Sequence, residues 1–125
     1  MVDLGLKKFS DIVSEKLQFL NYEQTLSYPT TESVFPCIEL HTPLKSVMKR
    51  FNNFPIKSMF QISITCYSDR QRDCMNMTDE IDSELMKMNF KRTNTSPSIF
   101  NEKTKKYGIM ATYEVIYNAI TNSFE

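Results

Sequence analysis

The sequence predicts an α+β fold: a mixed, mainly antiparallel four-stranded sheet with two flanking helices, in the order α-β-β-α-β-β. Three observations carry this. Residues 56–67 alternate, with Ile56, Phe60, Ile62, Ile64 and Cys66 on one face and Lys57, Gln61, Ser63 and Thr65 on the other. That pattern marks a strand with one buried side. From Asp69 the period changes, and Cys74, Met77, Ile81, Leu85 and Met88 recur at spacings of three and four, one stripe of a helix. Near the end the alternation returns, with Ile109, Ala111, Tyr113, Val115, Tyr117 and Ala119 on a common face. At 125 residues the chain is one domain with a single core.

Taken in order, residues 3–21 read as the first helix. Leu6, Phe9, Val13, Leu17 and Leu20 form its stripe, and Asp3 is placed to cap it. Residues 22–33 are hydroxyl-rich and read as a loop. Residues 34–40 make a short strand, and Pro36 within it favours an edge or a strand start. Residues 41–55 support two readings. Thr42-Pro43 suits a helix start, with Leu44, Val47 and Phe51 on one face. The favoured alternative is an extended hairpin with its tip at Asn52-Asn53. The strand 56–67 passes into the helix 69–89 through Ser68 and Gln71, a capping-box spacing. Residues 91–97 read as a polar connector, 98–101 as a brief strand and 107–120 as the last strand. Met110 and Ile116, opposite its apolar face, mark that strand as central.

Composition narrows the function classes. Lys plus Arg and Asp plus Glu number 15 each, so the basic excess of a dedicated nucleic-acid binder is missing. Only 2 glycines argue against glycine-rich phosphate loops. No apolar run is long enough for a membrane span, and the first residues lack the apolar segment of a signal peptide. A reducing cytoplasm is the expected compartment. The cysteines Cys37, Cys66 and Cys74 have no paired spacing and fall on expected buried faces.

Chemistry is sparse. The lone His41 has no Ser, Cys or carboxylate at a motif spacing and reads as a turn or surface histidine, and clustered zinc ligands are missing. No catalytic residue, cofactor or small-molecule substrate is expected. The acids from Asp79 to Glu84 are spread around the second helix by its geometry. Met75 and Met86, eleven residues apart, project at nearly one angle away from the core stripe, as either a widened core face or a contact patch. Charge is uneven: residues 41–57 hold Lys45, Lys49, Arg50 and Lys57 with no acid, 69–89 hold six acids against three bases, and 91–106 hold five bases against Glu102. Between identical subunits such surfaces would meet head to tail.

Several stretches together carry a resemblance. They are Met88-Asn89-Phe90-Lys91-Arg92-Thr93, Ile99 through Glu102 to Lys106-Tyr107, and Tyr113-Glu114-Val115-Ile116-Tyr117. With the strand-to-helix unit before them they resemble the tail terminator, or tail completion and head–tail joining, proteins of phages and prophages of Gram-positive bacteria. The resemblance spans roughly residues 34–120. It implies a non-enzymatic virion protein, assembled in the bacterial cytoplasm as a hexameric ring. Such a ring caps the tail tube, and its partners are the tube protein and the head connector, with DNA passing nearby. Under it Lys45, Lys49, Arg50 and Lys57 mark a lumen or partner loop. Met75, Met86, Asp79, Glu80, Lys103 and Lys105 mark the subunit interface. The alternative is a small nucleic-acid-binding or regulatory module using the basic segment 41–57.

Overall fold

The computed structural model describes residues 2–125. Its sheet has eight strands, where the sequence predicts four. In chain order the elements are α1 (Leu6–Leu17, extended by a 3-10 turn Gln18–Leu20), β1 (Glu23–Thr25), β2 (Cys37–Leu40), β3 (Leu44–Phe51), β4 (Phe54–Ser68), α2 (Gln71–Met86), β5 (Lys91–Thr95), β6 (Ile99–Asn101), β7 (Lys106–Asn118) and β8 (Ser123–Phe124). The sheet is mixed, because β1 runs parallel to β2 while the remaining pairs are antiparallel.

The two long strands organise everything else. β4 and β7 pair from Lys57 with Asn118 to Ser68 with Tyr107. The outer edge of β4 is shared, with β3 along residues 54–61 and β2 along 64–67. The outer edge of β7 is shared by β6, β5 and β8. Both helices lie on one face. Phe9, Val13 and Leu17 of α1 and Met77, Ile81 and Leu85 of α2 close the core over Phe60, Ile62, Ile64, Ala111, Tyr113 and Val115. The opposite face is half-exposed along most of its length.

Three of the strands lie where the sequence predicts none, and a fourth takes the favoured hairpin reading of 41–55. β1 falls in the expected loop, β5 in the expected connector and β8 beyond the expected last strand, while β3 occupies the segment with two readings. The physical reason is scale. β1 and β8 have three and two residues, too few to display a period. β5 is exposed at all five positions, so it has no buried face to print an apolar alternation.

The helix starts also differ from expectation. Gly5 is the N-cap of α1 and caps with no side chain, because Asp3 is turned to Lys45 at 2.7 Å. Arg70 is the N-cap of α2, also without a side-chain cap, and Ser68 Oγ approaches Asp73 at 3.5 Å instead of closing a capping box with Gln71.

The segment 41–55 is a hairpin. Asn52 and Asn53 both have positive φ, 50° and 67°, as a two-residue turn of the primed type requires. Asparagine tolerates that region better than most residues, and glycine better still. Asn53→Gly is therefore expected to raise stability by up to about 1 kcal/mol, and Asn53→Val to lower it by about 1–2 kcal/mol, both read by thermal unfolding.

Candidate functional site

The residues marked by the sequence are exposed for the most part, but the structure does not gather them in one place. Lys45 is turned inward: its ammonium contacts both oxygens of Asp3, donates to the Leu4 carbonyl at 2.9 Å and lies 5.6 Å from the centre of the Phe60 ring. Lys57 pairs with Glu125 at 3.2 Å. Thus two of the four charges in the basic stretch are matched by acids distant in sequence. Lys49 and Arg50 have no carboxylate partner among the described residues, and Arg50 donates to the Asn53 carbonyl at 3.2 Å. They hold the free positive charge of the hairpin.

Lys103 and Lys105 lie in the exposed turn between β6 and β7. That turn is at the Ser68 end of β4, whereas the hairpin tip is at the Phe54 end. At about 3.3 Å per residue the two basic regions sit tens of ångströms apart, so one loop surface cannot contain both.

The second helix divides its marked residues between two flanks. Glu80 accepts a hydrogen bond from Tyr22 Oη at 3.0 Å, and Glu84 approaches Lys16 at 3.9 Å, both on the α1 side. Asp82 approaches Arg92 of β5 at 3.7 Å. Positions 75, 79, 82 and 86 are spaced by four, three and four and share that second flank. Met75 and Met86 are 52% and 60% exposed there, which excludes the widened-core alternative.

A polar cluster that the sequence does not reveal lies on the face away from the helices. Glu39, buried in β2, accepts a hydrogen bond from Tyr67 Oη at 2.8 Å. His41 Nδ1 lies 3.6 Å from Glu39 Oε2, and His41 Nε2 lies 2.8 Å from Thr65 Oγ1. Burial, and then the adjacent Glu39 carboxylate, push the Tyr67 hydroxyl well above the usual phenol range. The cluster depends on the pairing of Glu39 with Thr65 across strands, information that no local spacing contains.

Carboxylate, imidazole and hydroxyl follow one another there in the order of a hydrolytic triad, but the remaining requirements are unmet. The carboxylate is beyond hydrogen-bond distance of the ring and is engaged by Tyr67. Thr65 is paired on both sides, with Glu39 and with Met110, so its strand has no free N–H row to hold an oxyanion. The arrangement fits a clamp that fastens β2 to β4.

Beside this cluster is a shallow depression of about 210 Å³, walled by Tyr28, Tyr67, Ile99, Lys106, Gly108 and Met110. It is smaller than the usual small-molecule cavity. Gly108 keeps its floor open, since a Cβ there would stand 3.1 Å from Tyr67 Cε1. Among the described residues no group of three or more His, Cys, Asp or Glu could hold a metal ion, and no helix is long and apolar enough to cross a membrane. The three cysteines are buried thiols.

No family model and no curated protein matches this chain.

Proposed function

We propose that this chain is a non-enzymatic structural protein of a phage or prophage tail. Copies form a ring, hexameric by resemblance, that caps the tail tube and joins it to the head connector. It assembles in the bacterial cytoplasm and stays in the virion. The observation that carries the reading is an outer strand with little buried: β3 exposes Leu44, Val47, Met48 and Phe51 on a hairpin beside a core that is already closed. Apolar groups arrayed so on a small domain fit a surface covered by another protein. The sequence motifs of residues 88–117 supply the tail terminator resemblance.

The test joins mass and function. Purified chain is expected to reach a defined oligomer mass in light scattering and to bind the ends of purified tail tubes in electron micrographs. A strict monomer at high concentration that leaves tube ends bare would sink the reading. The rival, a nucleic-acid-binding module, rests on Lys49 and Arg50, the two hairpin cations without acids. Binding to duplex DNA that falls steeply with salt, with no ring, would favour it.

A further inference from the structure

Two surfaces at opposite edges of the sheet have complementary chemistry. β3 pairs with the outer edge of β4, while β5 and β8 pair with the outer edge of β7, so β3 and β5 lie at opposite edges of the sheet. On the β3 side Val47, Met48 and Phe51 are 37%, 51% and 63% exposed, and the unpaired Lys49 and Arg50 stand among them. On the β5 side is the flank of α2 that carries Met75, Asp79 and Met86, oriented by the contact of Asp82 with Arg92. Asp79 is exposed and has no cation partner among the described residues.

We infer that these two surfaces meet between copies of the chain. The β3–β4 hairpin of one subunit packs on the Met75–Asp79–Met86 flank of the next, with Met48 and Phe51 against the methionines and Lys49 and Arg50 toward Asp79. The inference rests on the ring reading above and adds the interface to it. Charge selects this pairing over the symmetric ones. Hairpin against hairpin would bring Lys49 and Arg50 onto their own copies, and flank against flank would oppose two Asp79 carboxylates. Because the surfaces occupy opposite edges, the contact is head to tail and repeats around an axis until it closes.

The backbone agrees with a side-chain contact rather than an added strand. β3 is bulged on both sides of Lys49, and β5 between Arg92 and Asn94. Bulges and lysines at an outer strand discourage continuous pairing with another chain. Thioethers on the receiving flank suit an irregular apolar hairpin, since methionine adapts its shape to the neighbour.

A charge exchange tests the contact. Two variants are made, one carrying Lys49→Glu with Arg50→Glu, the other Asp79→Lys. All three positions are exposed, so melting temperatures should stay near wild type. Each variant alone is expected to fall to the 14.7 kDa mass of one chain in light scattering. An equimolar mixture is expected to recover the wild-type mass, because the altered hairpin then meets the altered flank with opposite charge. The unaltered surfaces of the two variants likewise meet each other, so the copies alternate. Persistence of the oligomer in both single variants, or no recovery on mixing, overturns this contact and leaves the ring reading standing. A wild-type chain that is itself monomeric overturns both.

Discussion

Replacing Phe9 with alanine is expected to remove about 3–5 kcal/mol of stability. Phe9 is fully buried and joins α1 to β4, to β8 and to the turn after α2. Its ring stacks on Phe60 of β4 at 4.4 Å between centroids and 10° between planes, and on Phe90 after α2 at 5.7 Å and 14°. The edge of Phe124 in β8 closes the group at 6.0 Å. Aromatic pairs of this geometry add about 0.5–1.5 kcal/mol each beyond area burial. Alanine would leave a ring-sized void between two stacked rings that are themselves anchored in a strand and a loop, so collapse cannot fill it. Phe9→Leu keeps most of the volume and should cost less than half as much. Phe19, 60% exposed, is the control: Phe19→Ala should fall within about 0.5 kcal/mol of wild type. Urea unfolding measures all three. A Phe9→Ala loss no larger than that of Phe19→Ala would mean that the aromatic group does not hold α1 to the sheet.

What holds α1 down was largely legible in the sequence. Phe9, Val13 and Leu17 announce themselves by spacing, as do Phe60, Ile62, Ile64 and Cys66, and Ile109, Ala111, Tyr113, Val115, Tyr117 and Ala119, and all of these are buried. Period-based reading succeeds where an element is long and has one wet side. It fails for β5, whose Lys91–Thr95 is exposed throughout, and for β1 and β8, which are shorter than a period can register. It also fails wherever a side chain has a partner distant in the chain. Asp3 belongs to Lys45 rather than to the helix end, and Glu125 belongs to Lys57. The segment 41–57 therefore looks twice as basic in sequence as it is in space. His41 looks solitary because Thr65 and Tyr67 join its cluster only once β2 has paired with β4; Glu39, two residues earlier on the same strand face, was the local sign. Among the proposed surfaces, the angle of Met75 and Met86 on the helix left a widened core face and a contact patch both open, and their exposure decides between them. Their position on the edge opposite β3 was not foreseeable, since it depends on the order of strands.

The same closed core makes the protein sensitive to alkali. Cys37, Cys66 and Cys74 are all buried free thiols, and burial is the main cause that lifts each one. Cys66 is pushed up to about 12, with the Thr78 hydroxyl at 3.6 Å partly opposing the rise. Cys37 is pushed up to about 11, helped by the charges of Glu23 and Glu39, and Cys74 to about 11, opposed in part by the backbone at Ser68. In the unfolded chain the same thiols ionise near about 8.5. The folded state therefore keeps three protons that the unfolded state releases. Stability is fully present below the unfolded value and is lost as pH rises toward the folded ones, at up to about 1.4 kcal/mol per thiol per pH unit. Three thiols give a slope of up to about 4 kcal/mol per unit, large against the 5–15 kcal/mol that typically separates folded from unfolded. Above the usual phenol range Tyr67 and Tyr113 add to the loss, since burial raises both hydroxyls, with Glu39 beside the first and Asp82 beside the second. In reducing buffer the urea midpoint is expected to hold steady up to about pH 7.5, then to drop sharply by about pH 10.5. A chain with Cys37→Ala, Cys66→Val and Cys74→Ala should start lower but stay flat until the tyrosines titrate. An equal slope in the two chains between pH 8.5 and 10 would rule the thiols out as its source and assign it to the surface charge instead.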